Sequence, residues 1–149
     1  MDIQNQFYNA IKSSDIEKIK LLLNDERVDP TECDNYTILY AIDFRNIEVI
    51  KLLLNDKRVD PTTHHNSIIQ TASENGDFDI VKLLLKDKYV DPSDNYNFSI
   101  KIAFKKEYFN IVNLLWQDKR VKNTLKNDYI DLYKELIKKD QIKKKVDIF

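Results

Sequence analysis

Alanine and proline are scarce in this chain, and both fall on one 31-residue register. The four alanines are Ala10, Ala41, Ala72 and Ala103, and the three prolines are Pro30, Pro61 and Pro92. The leucine runs keep the same step: Leu21-Leu22-Leu23, Leu52-Leu53-Leu54, Leu83-Leu84-Leu85, then Leu114-Leu115-Trp116. Segments 15–30 and 46–61 agree at 13 of 16 positions. Scarce residues at a fixed period mean that one structural unit recurs and needs those residues at those points.

One unit can be read from residues 35–62. Ile38, Ala41 and Ile42 follow the i, i+3, i+4 spacing of a helix with one apolar face. Asn35 stands three residues ahead of Ile38, and Asn66 and Asn97 hold the same place before Ile69 and Ile100. An asparagine there is expected to cap the helix start. This first helix ends near Phe44 or Arg45. Asn46 is placed to cap a second helix from about Ile47 to Asn55, as are Asp15 and Asp77 in register. Its buried face is expected to hold Ile47, Ile50, Leu53 and Leu54. The matching sets are Ile16, Ile19, Leu22 and Leu23, then Phe78, Val81, Leu84 and Leu85, then Phe109, Val112, Leu115 and Trp116. Val-Asp-Pro-Thr or Val-Asp-Pro-Ser follows, and proline ends the helical run and extends the residue before it. Each alanine is read as the point where two short helices cross closely, since small residues allow axes to approach to ~8 Å.

The ends differ from the middle. Lys18 takes the place of Val49, Ile80 and Ile111, as expected of a first unit with no neighbour ahead of it. Lys122-Asn123 replaces Asp-Pro, so the array is expected to end there. A last helix with Ile130, Tyr133, Leu136 and Ile137 on one face then closes it. The expected architecture is all-α: a solenoid of four helix-turn-helix units (about 3–34, 35–65, 66–96 and 97–126) with a C-terminal cap (about 127–149), all one domain.

The stretch Ser73-Glu74-Asn75-Gly76-Asp77-Phe78-Asp79-Ile80-Val81-Lys82-Leu83-Leu84-Leu85 resembles an ankyrin repeat. The family's threonine-proline-leucine-histidine-x-alanine motif is present in degraded form. Its leucine maps to Ile38, Ile69 and Ile100, and its alanine to Ala41, Ala72 and Ala103. Its glycine maps to Gly76 alone, against Ser14, Arg45 and Glu107. The 31-residue period is two shorter than the family's, and the missing residues fall between units, where a turn can replace the β-hairpin. This short version is similar to arrays of amoeba-infecting giant viruses (mimivirus-like). The resemblance implies a protein-binding solenoid whose partner lies against its concave face.

Composition narrows the function. The charged share of 33% nearly cancels, at net −1, which argues against a general nucleic-acid or acidic-lipid binder. No apolar run approaches the ~20 residues of a membrane span. The N-terminus has no basic and apolar leader pattern. Cys33 is the only cysteine, which suits a reducing compartment. The expected location is cytoplasmic, in the host cytoplasm for a viral chain. A single glycine, Gly76, is too few for a phosphate-cradling loop. The carboxylates recur with the scaffold, as Asp25, Asp56, Asp87 and Asp118 and as Asp29, Asp60 and Asp91. That pattern belongs to structure, whereas catalytic residues are singular. His64 and His65 are read as exposed loop residues, with neither a metal nor a thiolate partner in Cys33. No catalytic residue, metal, cofactor or small-molecule substrate is expected.

The positions that do not repeat are the candidates for recognition. They are the loop tips, with His64, His65 and Tyr96, and the ends of the first helices. Tyr40, Asp43 and Phe44, then Glu74 and Asn75, then Lys105 and Lys106 occupy those ends. The resemblance puts them on the concave side, with Tyr40 and Phe44 as apolar anchors. The expected function is a non-catalytic adaptor, a monomer that binds an unidentified protein. Two other readings stay open: a structural array that self-associates, and nucleic-acid or membrane contact through Lys139, Lys143, Lys144 and Lys145.

Overall fold

The computed structural model describes residues 2–146, with the side chains of Asp34, Asp128 and residues 139–146 outside the description. The described residues form ten helices and no strand. Four pairs follow the register: α1 (Ile3–Ser13) with α2 (Ile16–Leu23), α3 (Glu32–Asp43) with α4 (Ile47–Asn55), α5 (Thr63–Asn75) with α6 (Phe78–Leu84), and α7 (Asp94–Lys105) with α8 (Phe109–Trp116). The inner helices α1, α3, α5 and α7 pack in a row. Against them lies an outer layer in which α2 packs on α4 and α6 on α8. The core runs between the two layers as one continuous cluster.

The register positions take up the expected duties. All four alanines are buried at the inner-helix contacts, none more than 1% exposed. Ala72→Leu is expected to overpack the α3, α5 and α7 stack and cost about 1–3 kcal/mol. Urea denaturation measures it, and a cost near zero would remove Ala72 from the helix crossing. Val49, Ile80 and Ile111 are buried, while Lys18 in the first unit keeps partial access to water.

The Val-Asp-Pro segments make turns held by their own aspartates. The carboxylates of Asp29 and Asp60 each accept the amide and hydroxyl of Thr31 and Thr62, and Asp91 accepts those of Ser93, all at 2.7–2.9 Å. The aspartates of the other register pair with arginines two residues on. Asp25 pairs with Arg27, Asp56 with Arg58 and Asp118 with Arg120. Arg58 also reaches back one unit and donates to the carbonyls of Val28 and Leu23, both at 2.9 Å. It thereby ties two units together. The Arg58 guanidinium holds the Asp56 carboxyl below the usual carboxylate range.

The asparagines do something other than expected. Asn35, Asn66 and Asn97 adopt left-handed backbone with φ of 63°, 58° and 59°. His64, His65, Asn95 and Tyr96 before them are left-handed too, so the right-handed part of α5 and α7 starts only after Asn66 and Asn97. The asparagine side chains cap no helix of their own. Asn35 Oδ1 accepts the amide of Asp60, and Asn66 Oδ1 accepts that of Asp91, each in the next loop. Gln4 holds the same register in the first unit and accepts the amide of Asp29. The residue is chosen for two properties at once: asparagine tolerates the left-handed region, and its short amide crosses to the next unit.

Second-helix capping holds for Asp15, which accepts the Lys18 amide, and for Asn46, which accepts those of Glu48 and Val49. It fails for Asp77, whose carboxylate instead meets Arg45 Nε at 3.2 Å. Burial pushes the Asp77 carboxyl above its ordinary pKa, against the opposing pull of Arg45.

Ser14, Arg45, Gly76 and Glu107 all turn left-handed after the inner helices. Only the third is glycine because of its neighbour. A Cβ on Gly76 would sit 2.9 Å from the Tyr108 ring. Tyr108 stands where the other units have Asp15, Asn46 and Asp77.

Two apolar assignments need correction. Phe109, expected on a buried face, is 47% exposed, and Ile130, expected on the apolar face of the closing helix, is 50% exposed. The cap consists of two helices, α9 (Lys119–Asp128) and α10 (Ile130–Val146). Without a proline after Val121 the chain re-enters a helix at once. Asp118 caps α9 through the Arg120 amide, and Val121 and Leu125 are fully buried. From α10, Leu136 is buried, and the Tyr133 ring meets Trp116 edge-on at 5.7 Å. That contact covers the C-terminal end of α8 and leaves Phe109, at its other end, in partial contact with water. The lysine tail from Lys139 on lies outside the described side chains.

Candidate protein-binding surface

The row of inner helices presents its non-repeating side chains along one side. In the first two units that side is aromatic. The Tyr40 ring packs edge-on to Phe44, with centroids 4.8 Å apart, and edge-on to Tyr8 at 6.4 Å. Phe44 is 40% exposed, while Tyr40 is half-buried between its two neighbours. Tyr40 is therefore both surface and packing.

Tyr8, Tyr36 and Tyr40, with Cys33, wall a cleft of about 330 Å³. Tyr8 Oη donates to Glu32 Oε2 at 2.7 Å. Burial first, and then the hydrogen bond to Glu32, raise the Tyr8 hydroxyl above its ordinary pKa. Tyr8 and Tyr36 were not among the expected binding residues, although the signal was present. Leu39, Gln70 and Lys101 occupy the register of Tyr8, and Asn5, Ser67 and Phe98 that of Tyr36, so neither tyrosine repeats.

Further along, the side is polar and partly tied up within the chain. Lys106 Nζ donates to the Glu74 carbonyl at 3.0 Å and approaches its carboxylate at 3.4 Å. The Asn75 carbonyl accepts from Arg45 at 2.9 Å. Glu74, Asn75 and Lys106 thus link adjacent units, while Asp43 and Lys105 are exposed. Lys101 spans from α7 to the cap, donating to the Tyr129 hydroxyl and lying 4.0 Å from its ring centre.

The loop tips also link across units. Gln70 Nε2 donates to the His65 carbonyl, and Gln70 Oε1 accepts from Asn95. Asn66 Nδ2 donates to Asp94. His64 and His65 are exposed, and Tyr96 is 74% exposed. The tip geometry brings Tyr96 and His65 to one polar cleft with Asp94 and Asn97. Tyr40 and Phe44 meet directly, whereas the aromatic cleft and this polar one are separate groups. Among the described residues no three His, Cys, Asp or Glu side chains converge as metal ligands.

The repeat geometry agrees with a family-level match. The model of ankyrin repeats, in three copies, matches residues 7–96. The chain belongs to the ankyrin-repeat family. The matched span runs from within α1 through the third helix pair to the start of α7, and the rest of α7 with α8 extends the same register beyond it. Comparison with curated proteins and with solved structures gave no significant match. Ankyrin repeats are generally protein–protein interaction modules and non-catalytic scaffolds. No helix among the described residues is long and apolar enough to cross a membrane.

Proposed function

We propose that this ankyrin array is a non-catalytic adaptor that binds a partner protein along its row of inner helices. The observation that carries the reading is the set of exposed aromatics within or at the end of inner helices, at positions that do not repeat: Tyr36 at 56%, Phe44 at 40% and Tyr96 at 74% exposure. Repeating positions build the core, so the scaffold does not need these rings at the surface. Aromatic side chains supply much of the binding energy at interfaces. A framework of packed helices loses little conformational freedom when it binds. Asp43 and Lys105 give the flanks opposite charges, which set orientation more than strength.

The resemblance to arrays of amoeba-infecting giant viruses leads us to seek the partner in the cytoplasm of an amoebal host. The test is affinity capture from such a lysate with the wild-type chain and with Phe44→Ala plus Tyr96→Ala. Tyr40 is kept because it also packs between Tyr8 and Phe44. The double variant is expected to lose captured protein by about tenfold or more, in line with two interface anchors. Its thermal midpoint is expected to stay within about 4 °C of wild type. Capture that is unchanged in the variant would rule this side out.

A further inference from the structure

We propose that the aromatic cleft between the first two units is a docking site for an arginine side chain of the partner protein. This rests on the adaptor reading and narrows it to one contact. The cleft holds about 330 Å³ and is walled by Tyr8, Cys33, Tyr36 and Tyr40. That is the small end of ligand-pocket size and suits one long side chain.

The walls favour a cation over a plain apolar anchor. The Tyr8 and Tyr40 rings stand at 80° to each other with centroids 6.4 Å apart, so two aromatic walls meet at a corner. Aromatic faces carry negative potential and attract cations. Tyr8 donates its hydroxyl hydrogen to the Glu32 carboxylate, which shifts electron density into the ring and deepens that potential.

The charges nearby point the same way. Glu32 is exposed and is hydrogen-bonded to the wall residue Tyr8, and no lysine or arginine is part of the lining. Its carboxylate accepts one hydrogen from Tyr8 and has further lone pairs for N–H donors. At the far end, Lys12 lies one turn beyond Tyr8 and Asp43 one turn beyond Tyr40. They hold the same register in adjacent units, so their charges offset each other. Glu32 is left as the charge that selects the ligand.

Arginine fits this arrangement better than lysine. Its flat guanidinium can lie on a ring while its edge N–H groups fork a carboxylate, whereas the lysine ammonium is a compact, strongly hydrated point charge. The exposed Tyr36 ring lines the same cleft and supplies a third aromatic surface for the bound group.

The test uses NMR of the whole chain with ring-labelled tyrosines. The probes are N-acetyl-arginine amide and its lysine, citrulline and norleucine counterparts. Arginine is expected to shift the Tyr8, Tyr36 and Tyr40 ring signals, with lysine several-fold weaker. Citrulline, which keeps the shape without the charge, and norleucine are expected to bind about tenfold weaker still, the range of a partly desolvated cation–π contact. Glu32→Gln and Tyr36→Ala should each weaken arginine binding by about threefold to tenfold. Both side chains are exposed, so the folded spectrum should persist.

Three results would overturn the proposal. Norleucine binding as tightly as arginine would make the cleft a plain apolar anchor site. Lysine equal to arginine would remove the guanidinium assignment. Tyrosine signals that no probe moves would remove the site. None of these changes the capture experiment with Phe44→Ala and Tyr96→Ala, so the failure of this contact and of the adaptor reading can be told apart.

Discussion

Truncating Leu84 to alanine is expected to lower the unfolding free energy by about 2–5 kcal/mol. Leu84 is fully buried in α6, and its register neighbours Leu53 and Leu115 are fully buried as well. Removing its branched end leaves a cavity between the inner and outer layers. Short helices packed on both sides have little room to collapse into it. A domain of this size is stable by about 5–15 kcal/mol, so the loss is a large share of the total. Each unit of a solenoid touches only its neighbours. Amide exchange should therefore speed up in α5 to α8 more than in α1 and α2. Leu21→Ala is the control: Leu21 is 72% exposed, and its truncation should stay within about 0.5 kcal/mol. Urea denaturation of both variants decides the matter. A Leu84 loss no larger than that of Leu21 would contradict the two-layer packing assigned to α6.

Leu84 is the kind of residue that a repeated sequence reveals. The period, the leucine runs and the prolines are all local signals, and they placed helix α4 at Ile47–Asn55, where the structure has it. The shortened period allows a turn in place of a hairpin without deciding between them, and the described residues contain no strand.

Contacts between units are a different matter. Arg58 reaches carbonyls 30 and 35 residues away, and Asn35 bonds to the amide of Asp60. A local reading offers each asparagine a nearer role as a helix cap, and that role loses because the backbone there is left-handed. The exposure of Phe109 was hidden for a similar reason. Its place in the register is apolar, but the cap packs on the other end of α8, at Trp116. In the candidate site, the non-repeating aromatics were visible one by one. What could not be read was that the rings of Tyr8 and Tyr40, on different units, stand 6.4 Å apart.

Asn66→Ala is the prediction that separates the two readings of the asparagine register. As a helix cap alone, Asn66 would be worth about 1 kcal/mol. In the structure it is 6% exposed, accepts the Asp91 amide at 2.8 Å and donates to Asp94 at 2.9 Å. Alanine removes both bonds and leaves the Asp91 amide without its acceptor, at about 1–3 kcal/mol. It also forces a side chain with no local compensation into φ of 58°, at about 1–2 kcal/mol. The expected total is about 2–5 kcal/mol of unfolding free energy. Asn66→Gly divides the sum. It frees the backbone but restores neither bond, so it should be less destabilising than alanine by about 1 kcal/mol, although glycine's greater freedom in the unfolded chain takes back part of that gain. An alanine variant that loses 1 kcal/mol or less would return Asn66 to the role of a simple cap. A larger loss with faster amide exchange at Asp91 would fix it as the link between the second and third loops. The same logic extends to Gln4 and Asn35, which accept the amides of Asp29 and Asp60 in the same way. The stability of the array then depends on one side-chain amide in each of the first three units, as well as on its leucines.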